Sequence, residues 1–226
     1  MIIAFVGPVG SGKSTYIHLL SKILQSRRQR VIVSCFKRSF ISSLFVKILY
    51  FLIYGRKIIY RYPLESLLRG ANLKLRNLIT LWYVTDVFEL SGRLLVLYIL
   101  SKFIRITLLI EEYIPAILVD YLYISLRLKL RLRTILKYMN IMLYFYNKLH
   151  PLKVVFLSAP LKVLVKRWYQ RGRAEHSQLY IHLQLHLLQQ IVTFTTLSKN
   201  VVLIDSSNSK IIDTLRVILS SVYAEK

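Results

Sequence analysis

Residues 1–20 read MIIAFVGPVGSGKSTYIHLL, and the stretch from Gly7 to Ser14 fits G-x-x-x-x-G-K-[ST] at every fixed position. Ile2–Val6 is a short apolar run, which predicts a buried strand. Ile17, Leu20 and Leu24 recur at helical spacing beyond the glycines and predict an amphipathic helix. A glycine-rich turn between a buried strand and a helix N-terminus is the setting in which this motif cradles phosphates. The start of the chain does not read as a secretory leader, because no basic residue precedes the apolar run, which ends at the glycines.

The motif assigns chemistry to each position. Glycines let backbone N–H groups turn inward as an anion nest, and the helix N-terminus adds its partial positive charge. Gly7, Gly10, Ser11, Gly12, Lys13, Ser14 and Thr15 are therefore the candidate nucleotide-binding residues. Lys13 is expected at the β- and γ-phosphates, Ser14 as a hydroxyl ligand of Mg²⁺, and Thr15 at the α-phosphate. A glycine turn that binds nothing is the weaker reading, because the motif is long and correctly flanked.

Lys and Arg outnumber Asp and Glu by 33 to 10 in 226 residues, a formal net charge of +23, and apolar residues make up 55% of the chain. This pairing raises the question of a membrane. Leu44–Tyr54 would be about 16 Å long as a helix, roughly half a bilayer core, and it contains Lys47. Leu94–Ile110 is interrupted by Lys102 and Arg105, each costing about 2.5–3.5 kcal/mol near a bilayer centre. Neither segment is expected to span. Peripheral contact with anionic lipid stays open, because basic residues among exposed leucines and tyrosines attract it. Cys35 is the single cysteine, so no internal disulfide forms and a reducing, cytoplasmic setting is expected.

Further short apolar runs predict strands at Val31–Phe36, Ile106–Ile110, Val154–Leu157 and Val201–Ile204. Helical stripes lie between and after them. One is Leu161, Leu164, Val165 and Trp168; another is Leu179, Leu183, Leu187, Ile191 and Phe194; the last is Ile211, Leu215, Ile218 and Val222. Apolar strands alternating with helices indicate an α/β fold whose parallel sheet is covered on both faces. Residues 1–226 read as one domain, with a helical insertion at about 40–101 on the acceptor side. Leu126–Arg133, LRLKLRLR, alternates like a strand between helical flanks, and the flanks decide for helix.

The C-terminal third reads KVVFLSAPLKVLVKRWYQRGRAEHSQLY, then a long helix, then NVVLIDSSNSKIIDTLRVIL. With the glycine loop, this resembles the thymidylate kinase family of P-loop nucleotide kinases over residues 1–38 and 104–222. The resemblance implies a P-loop NTPase fold, a three-layer α/β/α arrangement with five parallel strands in the order 2-3-1-4-5. It also implies an arginine-bearing lid at about 168–178, in which Arg171 and Arg173, with Arg167 one turn earlier, are the candidate catalytic arginines. A guanidinium closing over a transferring phosphoryl group stabilises the charge that builds there.

Glu111-Glu112-Tyr113 stands where that family has Asp-Arg-Tyr, so Glu111 is the candidate carboxylate for holding Mg²⁺ or accepting a proton. Glu112 in place of the arginine is a departure. A second lies in LWYVTDVFEL, where Asp86 matches the family's Asp and Val87 replaces the following Arg. Either Lys37, Arg38 or Arg69 substitutes for these cations, or the acceptor carries no phosphate there. Other signals are bland. His182 and His186 share a helix face with Gln178 and Gln189 and read as solvated, Cys35 as a small buried hydrophobe, and Asp120 as a candidate support for the metal site.

The resemblance implies an ATP- and Mg²⁺-dependent phosphotransferase acting on a small acceptor, a nucleotide or nucleoside, with a homodimer left open. The rival expectation is a nucleotide-binding regulatory protein at a membrane surface, without kinase activity. The chain carries no recognisable nucleic-acid-binding module.

Overall fold

The computed structural model describes residues 1–35, 44, 48, 51–52, 75–104, 106–127, 129–130, 132–148, 153–170, 178–194, 200–207 and 210–223. In chain order these form β1 (Ile2–Val6), α1 (Lys13–Ser26), β2 (Val31–Cys35), α2 (Leu75–Phe103), β3 (Thr107–Glu111), α3 (Ile114–Arg127), α4 (Leu132–Lys148), β4 (Lys153–Ser158), α5 (Leu161–Gln170), α6 (Gln178–Phe194), β5 (Val201–Asp205) and α7 (Ile211–Tyr223). The strands form one five-stranded sheet in the order β2-β3-β1-β4-β5, with every pair parallel. The expected sheet and its order are thus observed.

Alternation along the central strands builds the layers, because successive side chains point to opposite faces. Ala4, Val6, Ile110, Val154 and Phe156 face one way, into a core shared with Tyr83 and Leu90 of α2, Ile117 and Tyr121 of α3, Met142 of α4 and Leu188 of α6. Ile3, Phe5, Leu109, Val155 and Leu157 face the other way, against Ile17, Leu20 and Leu24 of α1 and Leu215 and Ile218 of α7. Both faces of β1, β3 and β4 are therefore covered. The edge strands are less so: Val33 of β2 is 50% exposed and Leu203 of β5 61%.

Two expectations are corrected. LRLKLRLR is neither a strand nor a continuous helix. Helix α3 ends at Arg127, Lys129 adopts the left-handed conformation with φ 50°, and α4 begins at Leu132. Leu130 N–H donates to Ser125 O at 3.0 Å, closing the helix end as left-handed caps do. The second correction concerns α6, whose buried face is Tyr180, Ile181, Gln184, Leu188 and Val192. Leu183, Leu187 and Ile191 of the expected stripe are only half-buried. Leucines run around most of this helix, so its apolar pattern left the inward direction open.

Of the expected insertion at 40–101, residues 44, 48, 51–52 and 75–101 are described, the last of these within α2, a helix of 29 residues. Lys37, Arg38, Arg69, Arg171 and Arg173 lie outside the described residues, as does most of the expected lid.

Candidate active site

The glycine loop leaves the carboxyl end of β1 and enters α1 against the end of β4. At Gly7 an added Cβ would lie 2.1 Å from the backbone oxygen of Leu157, so no larger residue fits that approach. Gly12 caps α1 in the left-handed conformation, φ 92° and ψ 9°. Tyr16 N–H donates to Gly12 O at 3.1 Å, the first turn of the helix. The N–H groups of Lys13, Ser14 and Thr15 precede that bond and have no acceptor within the helix. Gly10 is buried beside α5, where its added Cβ would lie 3.1 Å from Leu164 O. Ser11 is completely buried, and its hydroxyl has no partner among the described residues. Lys13 is also buried; its ammonium donates to Gly7 O at 2.8 Å and Pro8 O at 3.0 Å. Inward N–H groups, an orphaned hydroxyl and a buried cation make a set suited to phosphate oxygens.

Strand β3 brings the carboxylate. Its register pairs Glu111 with Phe5 on one side and Cys35 on the other, placing it at the carboxyl end of the sheet next to the loop. The Ser14 hydroxyl donates to Glu111 Oε1 in a short hydrogen bond across 97 residues of sequence. Two oxygen donors in contact suit a hard cation such as Mg²⁺, which commonly takes one or two protein oxygens and completes its shell from phosphates and water. Glu112 adopts φ 54°, and its N–H donates to Phe5 O at 3.2 Å.

Arg167 contacts the glycine loop directly. From α5 it donates through Nη1 to Gly10 O at 3.2 Å and Ser206 Oγ at 3.3 Å, and through Nη2 to Ser206 O at 2.9 Å. It thus links the glycine loop to the turn after β5. Ser206 is fixed in turn, its hydroxyl donating to Ser158 O at 2.9 Å. Asp205 accepts from the Ser207 hydroxyl at 2.6 Å and the Ser207 N–H at 2.8 Å. Those bonds, aided by the Arg167 charge, hold its carboxyl below the usual aspartate value.

Sequence reasoning missed Gln184. Its Oε1 accepts the Val9 N–H at 3.0 Å, so α6 touches the glycine loop one residue before Arg167 does. Nothing in the leucine-rich sequence of α6 marks that glutamine. Asp120, the expected support for the metal site, is buried and accepts the Tyr180 hydroxyl at 2.5 Å. Asp86 is buried too and accepts the Tyr121 hydroxyl, while Val87 packs in the core. His182 and His186 are exposed, with ring centroids 5.6 Å apart. Cys35 is half-buried rather than buried.

No protein-family model matches the chain, and no curated protein matches it. Solved structures do. A deoxyadenosine kinase from M. mycoides with bound dCTP has 15% sequence identity and a TM-score of 0.56, over 99% of this chain and 100% of that one. The same enzyme with the product dCMP and a flexible dCDP gives the same values. The chain therefore shares the P-loop α/β fold of these two structures, neither of which is a thymidylate kinase.

Proposed function

We propose that the chain is a phosphotransferase that moves the γ-phosphate of ATP to a hydroxyl of a small acceptor, a nucleoside in preference to a nucleoside monophosphate. The contact between Ser14 and Glu111 carries this reading, because it joins a strand-end carboxylate to the motif's cation-binding hydroxyl.

Each residue has a part. The N–H groups of the first turn of α1 hold the phosphate chain, and the buried Lys13 ammonium offsets its β- and γ-charge. Ser14 and Glu111 are the residues that would hold Mg²⁺, which supplies charge neutralisation at the phosphoryl oxygens when bound. Arg167 keeps Gly10 in place beneath the phosphates. Arg171 and Arg173 are proposed to close over the transferring group from the lid.

The acceptor preference rests on two departures from the resembled family. Glu112 and Val87 stand where the resembled family has cations for an acceptor phosphate, and Val87 is buried among apolar side chains. Arg93 of α2 is a cation near Glu111, its Nη2 donating to Cys35 O at 3.1 Å beside Glu111 in the sheet register. A neutral nucleoside needs no cation for a phosphate of its own, which is in line with the neighbours being deoxyadenosine kinases.

Transfer from γ-labelled ATP with Mg²⁺ across deoxynucleosides and their monophosphates tests the reading. Label is expected on a nucleoside, with Lys13→Ala abolishing it and Glu111→Gln reducing it about 10- to 100-fold. Tight ATP binding with no labelled acceptor would overturn the enzyme reading.

A further inference from the structure

Helices α5 and α6 flank residues 171–177, and they hold adjacent residues of the glycine loop, Gly10 through Arg167 and Val9 through Gln184. The Gln184 contact continues inward. Its Nε2 donates to the Tyr180 hydroxyl at 2.7 Å, and that hydroxyl donates to Asp120 Oδ1 at 2.5 Å. Gln184 is 2% exposed, Tyr180 6% and Asp120 7%, so these bonds form away from solvent.

The direction of the chain is fixed by chemistry. A backbone N–H can only donate, so the glutamine must present its oxygen to Val9. Its amide nitrogen then faces Tyr180 and must donate there. The tyrosine oxygen accepts that bond, and its own proton goes to the carboxylate of Asp120. Removing the hydroxyl of Tyr180 leaves two buried polar groups without that partner, and the glutamine loses what holds its oxygen towards the loop. Pro8 has no N–H, so Val9 offers the loop's first backbone donor after Gly7.

We propose that Asp120, Tyr180 and Gln184 form a positioning relay that pins the outer turn of the glycine loop to α6 and α3, so that nucleotide affinity depends on three side chains that do not touch the nucleotide. The relay rests on the loop being the nucleotide site. It ties the loop's shape to the helix that follows the lid, as Arg167 ties it to the helix before.

The test is the affinity of the full chain for a fluorescent ATP analogue, with thermal unfolding followed in parallel so that affinities refer to folded protein. Tyr180→Phe and Gln184→Leu are each expected to weaken binding about three- to tenfold. The double variant is expected to be no weaker than the worse single, because either change breaks the same chain. Asp120→Asn keeps an oxygen for the Tyr180 proton and is expected to bind like the parent, whereas Asp120→Ala is not. Gln184→Met keeps the side-chain length and carries the same expectation if Gln184→Leu does not fold. Additive losses, or unchanged affinity in the folded singles while Lys13→Ala abolishes binding, overturn the relay alone. Unchanged binding in Lys13→Ala overturns the nucleotide site and the relay with it.

Discussion

At Gly7 the main obstacle to a side chain is backbone, since an added Cβ meets Leu157 O at 2.1 Å, nearer than the Ser11 hydroxyl at 2.8 Å. Gly7→Ala must therefore push the end of β4 away from the loop. A loss of about 2 kcal/mol or more is expected, read from the urea midpoint, together with weaker ATP-analogue binding. Gly12→Ala is the control: its nearest neighbour is the Tyr16 ring at 3.4 Å, so it meets only the strain of φ 92°, about 1–2 kcal/mol. This scale was the most legible in the sequence where spacing was fixed. The motif located Lys13 and Ser14, and two carboxylates ending an apolar strand marked Glu111. Gln184 was not legible, because its partner Val9 is 175 residues away and no periodicity links them. Arg167 was visible as a residue, but its grip on Gly10 and Ser206 depends on how α5 lies against the sheet.

Between elements, the contact of α2 with α3 is built from polar groups as well as apolar ones. Tyr121 and Tyr83 stack at 4.3 Å between ring centroids, Tyr83 donates to Tyr121 O at 3.1 Å, and Tyr121 donates to the buried Asp86. Burial first, and then the nearby aspartates, pushes both phenols above the usual tyrosine value. A pKa raised in the folded state stabilises the fold fully below the unfolded value and less as pH climbs past it. Stability should thus fall above about pH 10, and Tyr83→Phe should flatten that alkaline limb in denaturant titrations at successive pH values. The strands and helices were legible because β-branched runs and helical stripes alternate cleanly. The break at residues 129–130 was not, because period-two leucines fit a strand while their flanks fit helices. The inward face of α6 was misread for a related reason: burial there falls on Gln184, a residue that polarity alone assigns to water.

For the whole molecule, charge is the dominant feature. A formal net charge of +23 repels itself, and no helix of the described residues is long and apolar enough to cross a membrane and lodge that charge at its ends. Screening should relieve the repulsion. The melting temperature is expected to rise between about 0.01 and 0.1 M NaCl, where the Debye length shrinks from about 30 to about 10 Å; calorimetry across that range checks it. Binding to anionic vesicles, if it occurs, should weaken over the same range, which separates adsorption by charge from insertion. The strand order has a further result for how the chain comes together. β1 pairs with β3 and β4 but not with β2, and β2 pairs only with β3. While the polypeptide is being synthesised, β1 and β2 therefore find no strand partner in each other. β1 gains its first strand neighbour when residues 107–111 arrive and slide between the two strands already made, and that same arrival delivers Glu111 to Ser14. A nascent chain stalled before Thr107 would display the complete phosphate-binding signature and yet hold no phosphate.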